Sequence, residues 1–186
     1  SNLLGFAYMG SIYMSSAFGV KNPKVGLINI GTERNKGTAL LKDSFMLLEN
    51  SAVNFIGNIE ARDIPKTEAD VLVCDGYTGN IVLKLTEGVA WNILKLIKEK
   101  MTESLTSKFA ALPFAAKLKS LKKDFDYSTY GGAPILGVKG LVFKMHGSSS
   151  SRAVCNAVIR AAEVSGQNVV GAIESAMEGF TGNGAE

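Results

Sequence analysis

The chain has 186 residues, 46% of them hydrophobic, and a formal charge of +3 with acidic and basic side chains mostly interspersed. That length and apolar content suffice for a sizeable buried core, in one large or two small domains, and exclude a disordered chain. The near-balanced charge excludes nucleic acid as a partner of the molecule as a whole.

The chain opens at Ser1-Asn2 without an initiator methionine, directly inside an apolar pattern, as though cut from something longer. No signal peptide is recognisable. No run approaches the roughly 18 to 20 uninterrupted apolar residues of a membrane span. Residues 3 to 18 carry apolar side chains almost all round, among them Phe6, Tyr8, Met9, Ile12, Tyr13 and Phe18, which predicts a buried helix closed by Gly19. Val25 to Ile30 reads as a buried strand, and the polar loop Gly31 to Gly37 follows its carboxyl end. Helical spacing then runs from Thr38 to Glu49, and Val53 to Gly57 is the next strand. Residues 58 to 63 read as a loop that projects Glu60, Arg62 and Asp63, for which a salt-bridged surface is the ordinary reading.

The stretch from Ala69 to Lys84 organises the chain. Val71, Leu72, Val73 and Cys74 form a short continuous apolar run, as in a parallel strand covered on both faces. The run breaks at Asp75, at the carboxyl end of a strand, where open α/β sheets collect their ligands. Gly76 and Gly79 permit a tight turn and a close approach to a bound group. Thr78 or Asn80 is suited to cap the helix that follows. A helix start with free N–H groups favours an anion. An ordinary strand-to-helix turn with Asp75 as a local cap fits this stretch equally well. From Ile81 to about Leu105 one long helix is expected.

Residues 105 to 123 depart from this pattern. Lys108, Lys117, Lys119, Lys122 and Lys123 occur with no acidic residue, interleaved with Phe109, Leu112 and Phe114 and broken by Pro113. Such a basic amphipathic stretch suits a membrane surface or an acidic partner. A helix packed on the sheet with a solvated lysine face accounts for it as well. Tyr130-Gly-Gly132 reads as a flexible turn, followed by a hairpin of Ala133 to Val138 and Leu141 to Met145 joined at Lys139-Gly140. The second strand leads straight into His146-Gly-Ser-Ser-Ser-Ser-Arg152, a second candidate anion loop, with a helix from about Ser151 to Val164 behind it. A plain helix cap and loop is the alternative there. A short helix, Val169 to Met177, precedes a glycine-rich tail. His146 is the only histidine, which makes a zinc site improbable. Cys74 and Cys155 read as reduced core residues of a cytosolic protein.

Strand, loop and helix alternate three times before residue 105, which argues for right-handed βαβ units and a mainly parallel sheet. Taken together, the segments Val25 to Gly31, Asn54 to Ile64, Ala69 to Lys84, Tyr130 to Gly137 and Lys144 to Ser149 resemble the PlsX family of phosphate acyltransferases. Several long motifs in the right order are far more specific than one loop. The resemblance covers about residues 3 to 180 and corresponds to the latter part of the family's chain. An N-terminal portion with its own glycine-rich motif is missing from it.

The resemblance implies an α/β fold with a three-layer, mostly parallel sheet flanked by helices and a β-hairpin, isocitrate/isopropylmalate dehydrogenase-like and phosphotransacetylase-like. The chain would be one α/β unit, with 105 to 123 as a basic helical excursion. It implies a bacterial enzyme, usually a homodimer, that moves a long acyl group from acyl carrier protein to inorganic phosphate for phospholipid synthesis, without metal or cofactor. It also implies a cytoplasmic location with transient contact at the inner face of the plasma membrane. The residues carried over are His146, Asn80, Lys84 and Asp75 for catalysis. Gly147, Ser148, Ser149, Gly76, Thr78, Gly79 and Arg62 would hold phosphate, and Asn58 and Glu60 would line the cleft. Lys108, Phe109, Leu112, Phe114, Lys117 and Lys119 would touch membrane or carrier protein. Ser150-Ser151-Arg152 departs from the family pattern, where a small acidic or alanine-rich segment is more usual.

Two other readings compete. A nicotinamide-dependent dehydrogenase relative would share the fold, but the chain lacks a GxGxxG fingerprint after a strand. A non-catalytic carrier-protein or membrane-binding module would need the lysine stretch and neither loop. Serine hydrolase chemistry is improbable because no GxSxG elbow exists.

Overall fold

The computed structural model describes residues 2–104, 106–107, 111–114, 117, 120, 131–147 and 149–182. These form two compact units: Ser1–Asp75 with Pro134–Lys144 and Ile159–Glu186, and Gly76–Ala133 with Met145–Val158.

The first unit is built on a parallel sheet. Helix α1 (Asn2–Phe18) leads to strand β1 (Lys24–Asn29), helix α2 (Ala39–Glu49) and strand β2 (Asn54–Glu60). A 3-10 helix, Ala61–Lys66, then leads to strand β3 (Val71–Val73). The strand order is β2-β1-β3, with both neighbours parallel to β1. As the hydrophobic run foretells, β1 is buried on both faces from Val25 to Asn29. Its alternate residues Val25 and Leu27 join Val73 and Phe55 beneath Leu3, Leu4 and Ala7 of α1 and Phe45 and Leu48 of α2. Fully burying side chains such as Leu27 and Leu48 is worth about 1.5–3 kcal/mol each. Thr38 starts α2 as its N-cap, accepting from the Leu41 N–H at 3.4 Å.

Strand β2 is longer than its apolar run and carries a bulge. Val25 faces Phe55, but the next pair is Leu27 with Asn58, so Ile56 and Gly57 together oppose Gly26. Gly57 has φ +98°, a conformation that L side chains rarely adopt. One extra residue reverses the inward-outward alternation. Asn58 therefore shares the sheet face of Leu27 and Phe55. Asn58 and Glu60, expected in a loop, lie on this strand, because its pairing with β1 continues to Asn29 opposite Glu60.

A second cluster joins Ala17 of α1 to the last helices. It is made by Val164 of α4 (Ser151–Ser165) and by Val169 and Ile173 of α5 (Val169–Gly182). Leu136, Leu141 and Phe143, in and beside the hairpin, pack against it. The Arg160 guanidinium lies 4.3 Å from the Phe18 ring centroid and donates to the Ala17 carbonyl at 3.1 Å, which closes the end of α1. The hairpin strands are β4 (Ala133–Ile135) and β5 (Val142–Lys144), an antiparallel pair. Six residues connect them, so Lys139-Gly140 is part of a longer loop and does not form a two-residue turn. Leu136 and Leu141, expected within strands, instead leave the ladder to cover the second cluster.

In the second unit, helix α3 (Gly76–Thr102) follows β3 after only Cys74 and Asp75. It starts five residues before Ile81, because its first turn carries no apolar period that would reveal it. Leu94 is its one buried residue, and Ile81, Leu83, Leu85, Val89, Trp91, Ile93 and Leu96 are exposed. Gly131 is buried: a Cβ there would fall 2.2 Å from the Ala157 nitrogen. The Gly131 end of the expected flexible turn is thus a close backbone contact against α4. Of the basic stretch, Leu112, Phe114 and Lys117 are described and exposed. Lys108, Phe109, Lys119, Lys122 and Lys123 lie outside the described residues.

Candidate active site

The carboxyl edge of the sheet is a candidate site of the first unit. The chain passes from β1 outward to β2 and returns across β1 to β3, so strand order reverses between β1 and β3. The crevice outside the carboxyl ends of two such strands is where open α/β sheets bind ligands. Here β1 delivers the Gly31–Gly37 loop and β3 delivers Cys74 and Asp75.

Two buried asparagines hold that loop. The Asn29 Nδ2 donates to the Lys36 carbonyl at 3.1 Å, and its Oδ1 accepts from the Ile30 N–H at 2.8 Å. The Asn58 Nδ2 donates to the Glu33 carbonyl at 2.9 Å. A Cβ on Gly37, which has φ +87°, would lie 2.4 Å from Asn29 Oδ1, so only glycine lets the loop close there. Arg34 adds an ion pair with Glu49 of α2 and lies 5.5 Å from the Phe45 ring centroid. Asn58 Oδ1 is buried with no hydrogen-bond partner among the described residues. An unpaired buried acceptor costs about 1–3 kcal/mol. The bulge at Gly57 therefore places an unsatisfied acceptor beside the loop of the central strand.

After β2, Arg62 pairs through Nε with Glu60 at 2.8 Å and Asp63 at 3.9 Å, and Lys66 pairs with Asp63 at 3.0 Å. These are the salt bridges the sequence predicts for that surface. Glu60 is half-buried and Arg62 is exposed. Cys74 is half-buried, and its burial, with the Asp75 charge second, pushes the thiol above its ordinary range. Both cysteines are free. Cys155 is exposed on α4, because its position falls between the buried Ala153 and Ala157, and so it is not a core residue.

The other unit carries a separate candidate feature, two helix starts. Gly76, Thr78, Gly79 and Asn80 all lie in the first turns of α3, so neither Thr78 nor Asn80 precedes the helix as its cap. Asp75 occupies the position just before the helix. Lys84 lies on α3 and is exposed. At the start of α4 the cap is Ser150: its Oγ accepts from the Ala153 N–H at 3.3 Å, and its carbonyl accepts from the Val154 N–H at 3.0 Å. The Ser149 N–H donates to the His146 carbonyl at 3.0 Å, which folds the loop back on itself. His146, Gly147 and Ser150 are exposed, and Ser148 lies outside the described residues. Neither helix has an acidic side chain in its first turn. At α4 no carboxylate stands in or just before the first turn, a condition that suits an anion, whereas Asp75 stands directly before α3. Among the described residues, no group of three or more His, Cys, Asp or Glu side chains could hold a metal ion. The cap at Ser150 matches the plain cap-and-loop alternative for that serine run, while the Gly57 bulge and the Asn29 anchor were missed. A glycine inside a strand pattern was the available signal for the bulge.

A parallel three-stranded sheet flanked by helices, with an antiparallel hairpin, defines an α/β chain. The family described as "Fatty acid synthesis protein" matches residues 1–172. The chain belongs to that family, the PlsX family that its motifs resemble. It is 53% identical over 157 residues to the phosphate acyltransferase of Alkaliphilus oremlandii, covering 84% of this chain and 47% of the relative. It is 48% identical over 174 residues to that of Bacillus subtilis, covering 93% and 52%. For the phosphate acyltransferase of Clostridium acetobutylicum the identity is 47% over 176 residues, covering 95% and 53%. The chain thus spans about half the length of these curated relatives.

Proposed function

We propose that this chain supplies one half of a phosphate acyltransferase that moves a long acyl group from acyl carrier protein to inorganic phosphate. The observation that carries the reading is the pair of helix starts without first-turn acids, in a chain whose relatives bear that name. Phosphate is held at Gly147, Ser148 and Ser149 and at Gly76, Thr78 and Gly79 through N–H groups and hydroxyls. A phosphate oxygen attacks the thioester carbonyl carbon. The carbonyl oxygen becomes an oxyanion, the carbon–sulfur bond then breaks, and the thiolate leaves with a proton. Orientation is the main contribution, because a thiolate leaves readily and no covalent enzyme intermediate is required.

The oxyanion needs donors, and Asn80 and Lys84 are the side chains suited to it, while His146 protonates the thiolate. Asp75 stands at the strand end beside the first helix start and orients these groups. Arg62, whose guanidinium is shared with Glu60 and Asp63, is an anion-suited group of the first unit, where Asn58 and Glu60 are the cleft candidates. The fold extends to the dehydrogenase-like, phosphotransacetylase-like three-layer arrangement, and the enzyme works as a cytoplasmic homodimer. Exposed Leu112, Phe114 and Lys117 favour contact of the basic stretch, Lys108, Phe109 and Lys119 included, with carrier protein or the membrane surface. The same exposure is the one observation favouring a pure binding module.

Titration of the chain with inorganic phosphate, followed through backbone amide resonances, separates the two. Shifts confined to residues 76–80 and 146–149 are expected. Shifts at neither segment, with binding to anionic vesicles intact, would overturn the acyltransferase reading in favour of the module.

A further inference from the structure

Within the first unit, Arg34 ties the Gly31–Gly37 loop to helix α2 through three side chains. Its guanidinium pairs with Glu49, lies 5.5 Å from the Phe45 ring centroid and brings Nη2 to 3.9 Å from the Met46 sulfur. Met46 and Glu49 are three residues apart on α2, so both meet the guanidinium from one side of the helix. A thioether sulfur is a weak acceptor, and the Met46 contact contributes little in that form. Of the six methionines, Met46 is the most exposed, at 51% against 39% for Met145, and the other four are half-buried.

We propose that Met46 is an oxidation site whose sulfoxide is captured by Arg34, so that oxidation tightens the hold on the Gly31–Gly37 loop. The oxidant is a hydroperoxide. A sulfur lone pair attacks its terminal oxygen, the O–O bond breaks, and that oxygen stays on sulfur. The hydroperoxide proton moves to the departing oxygen, which leaves as water or an alcohol; sulfur loses two electrons and the peroxide gains them. An oxygen added on the Arg34 side of the sulfur stands inside the 3.9 Å contact, within hydrogen-bond reach of Nη2. The guanidinium has five N–H donors, so the sulfoxide takes one while Glu49 keeps its pair. Sulfoxidation ordinarily disrupts apolar packing, but an exposed Met46 has little packing to lose and gains a charged donor. The oxidised sulfur is chiral, and only one epimer directs its oxygen at Arg34. The loop is already held at Glu33 by Asn58 and at Lys36 by Asn29, and the captured sulfoxide strengthens a third anchor between them. None of this depends on the acyltransferase reading.

The test starts from the full 186-residue chain treated with dilute hydrogen peroxide and mapped by peptide mass spectrometry. Met46 should oxidise before the other methionines. Methionine sulfoxide reductases act on one epimer each, which gives a readout specific to the contact. One Met46 epimer should be reduced about tenfold more slowly in the unaltered chain than in Arg34→Gln, the size of one hydrogen bond to a charged group, and the other epimer equally fast in both. Met46→Gln presents an amide oxygen at similar reach without any oxidant. It should raise the urea midpoint when Arg34 is present and leave it unchanged in Arg34→Gln. Met145 oxidising first, reduction rates of both epimers that ignore Arg34, or the same midpoint change from Met46→Gln in both backgrounds would each overturn the proposal.

Discussion

Gly57 and Asn58 show how one residue decides what another can do. Without the bulge, Asn58 would point to the opposite face of the sheet, and the Gly31–Gly37 loop would lose its bond at Glu33. No atom lies within 4 Å of a Cβ built on Gly57, so Gly57→Ala tests backbone conformation alone. Urea denaturation should show a loss of about 1–3 kcal/mol. An unchanged midpoint would mean that the bulge relaxes without cost. The type of Asn58 was legible as a polar residue at a strand's end, but its direction was not. Period-two counting assigns faces only while pairing stays regular, and the added residue at Gly57 breaks that count. The pairing of Arg62 with Glu60 and Asp63 was readable because those charges are close in sequence and exposed.

At the level of elements, long apolar runs were the most legible features. Helix α1, strand β1 and helix α2 occur where their apolar runs put them, because each buries side chains in the core clusters, α1 in both. The start of α3 was not legible, since Gly76 and Gly79 read as turn residues and the first turn buries nothing. The hairpin was recognised, but its loop was misplaced, because Leu136 and Leu141 serve the second cluster and leave the ladder. The start of α4 depends on two local devices of different strength. Ser150→Ala removes a cap bond and should cost about 1 kcal/mol. Gly131→Ala drives a methyl into the backbone of Asn156 and Ala157, where no side chain can yield. It should cost more, about 2–3 kcal/mol, in the same denaturation series. The reverse order would show that the Gly131 contact is not what positions this helix.

For the whole molecule, family membership rests on 172 matched residues, whereas the activity rests on a chain that spans about half of its relatives. Several ordered motifs made the family legible before any geometry was known. What covers an apolar face was not, since a sequence pattern reports which faces are apolar and not what meets them. Exposed Ile81, Leu85, Val89 and Ile97 on α3 illustrate this: they keep helical spacing, yet nothing in the described chain buries them. Among the described residues, no helix is long and apolar enough to cross a membrane.

The most direct measurement is acyl phosphate formation from long-chain acyl carrier protein and inorganic phosphate, trapped as hydroxamate with hydroxylamine. It would use a folded chimera joining the first half of the Bacillus subtilis relative to this chain. The account predicts hydroxamate from the chimera and a loss of about 100- to 1,000-fold on Lys84→Ala, the size expected for one oxyanion donor. A folded chimera that binds phosphate but forms no hydroxamate would contradict it.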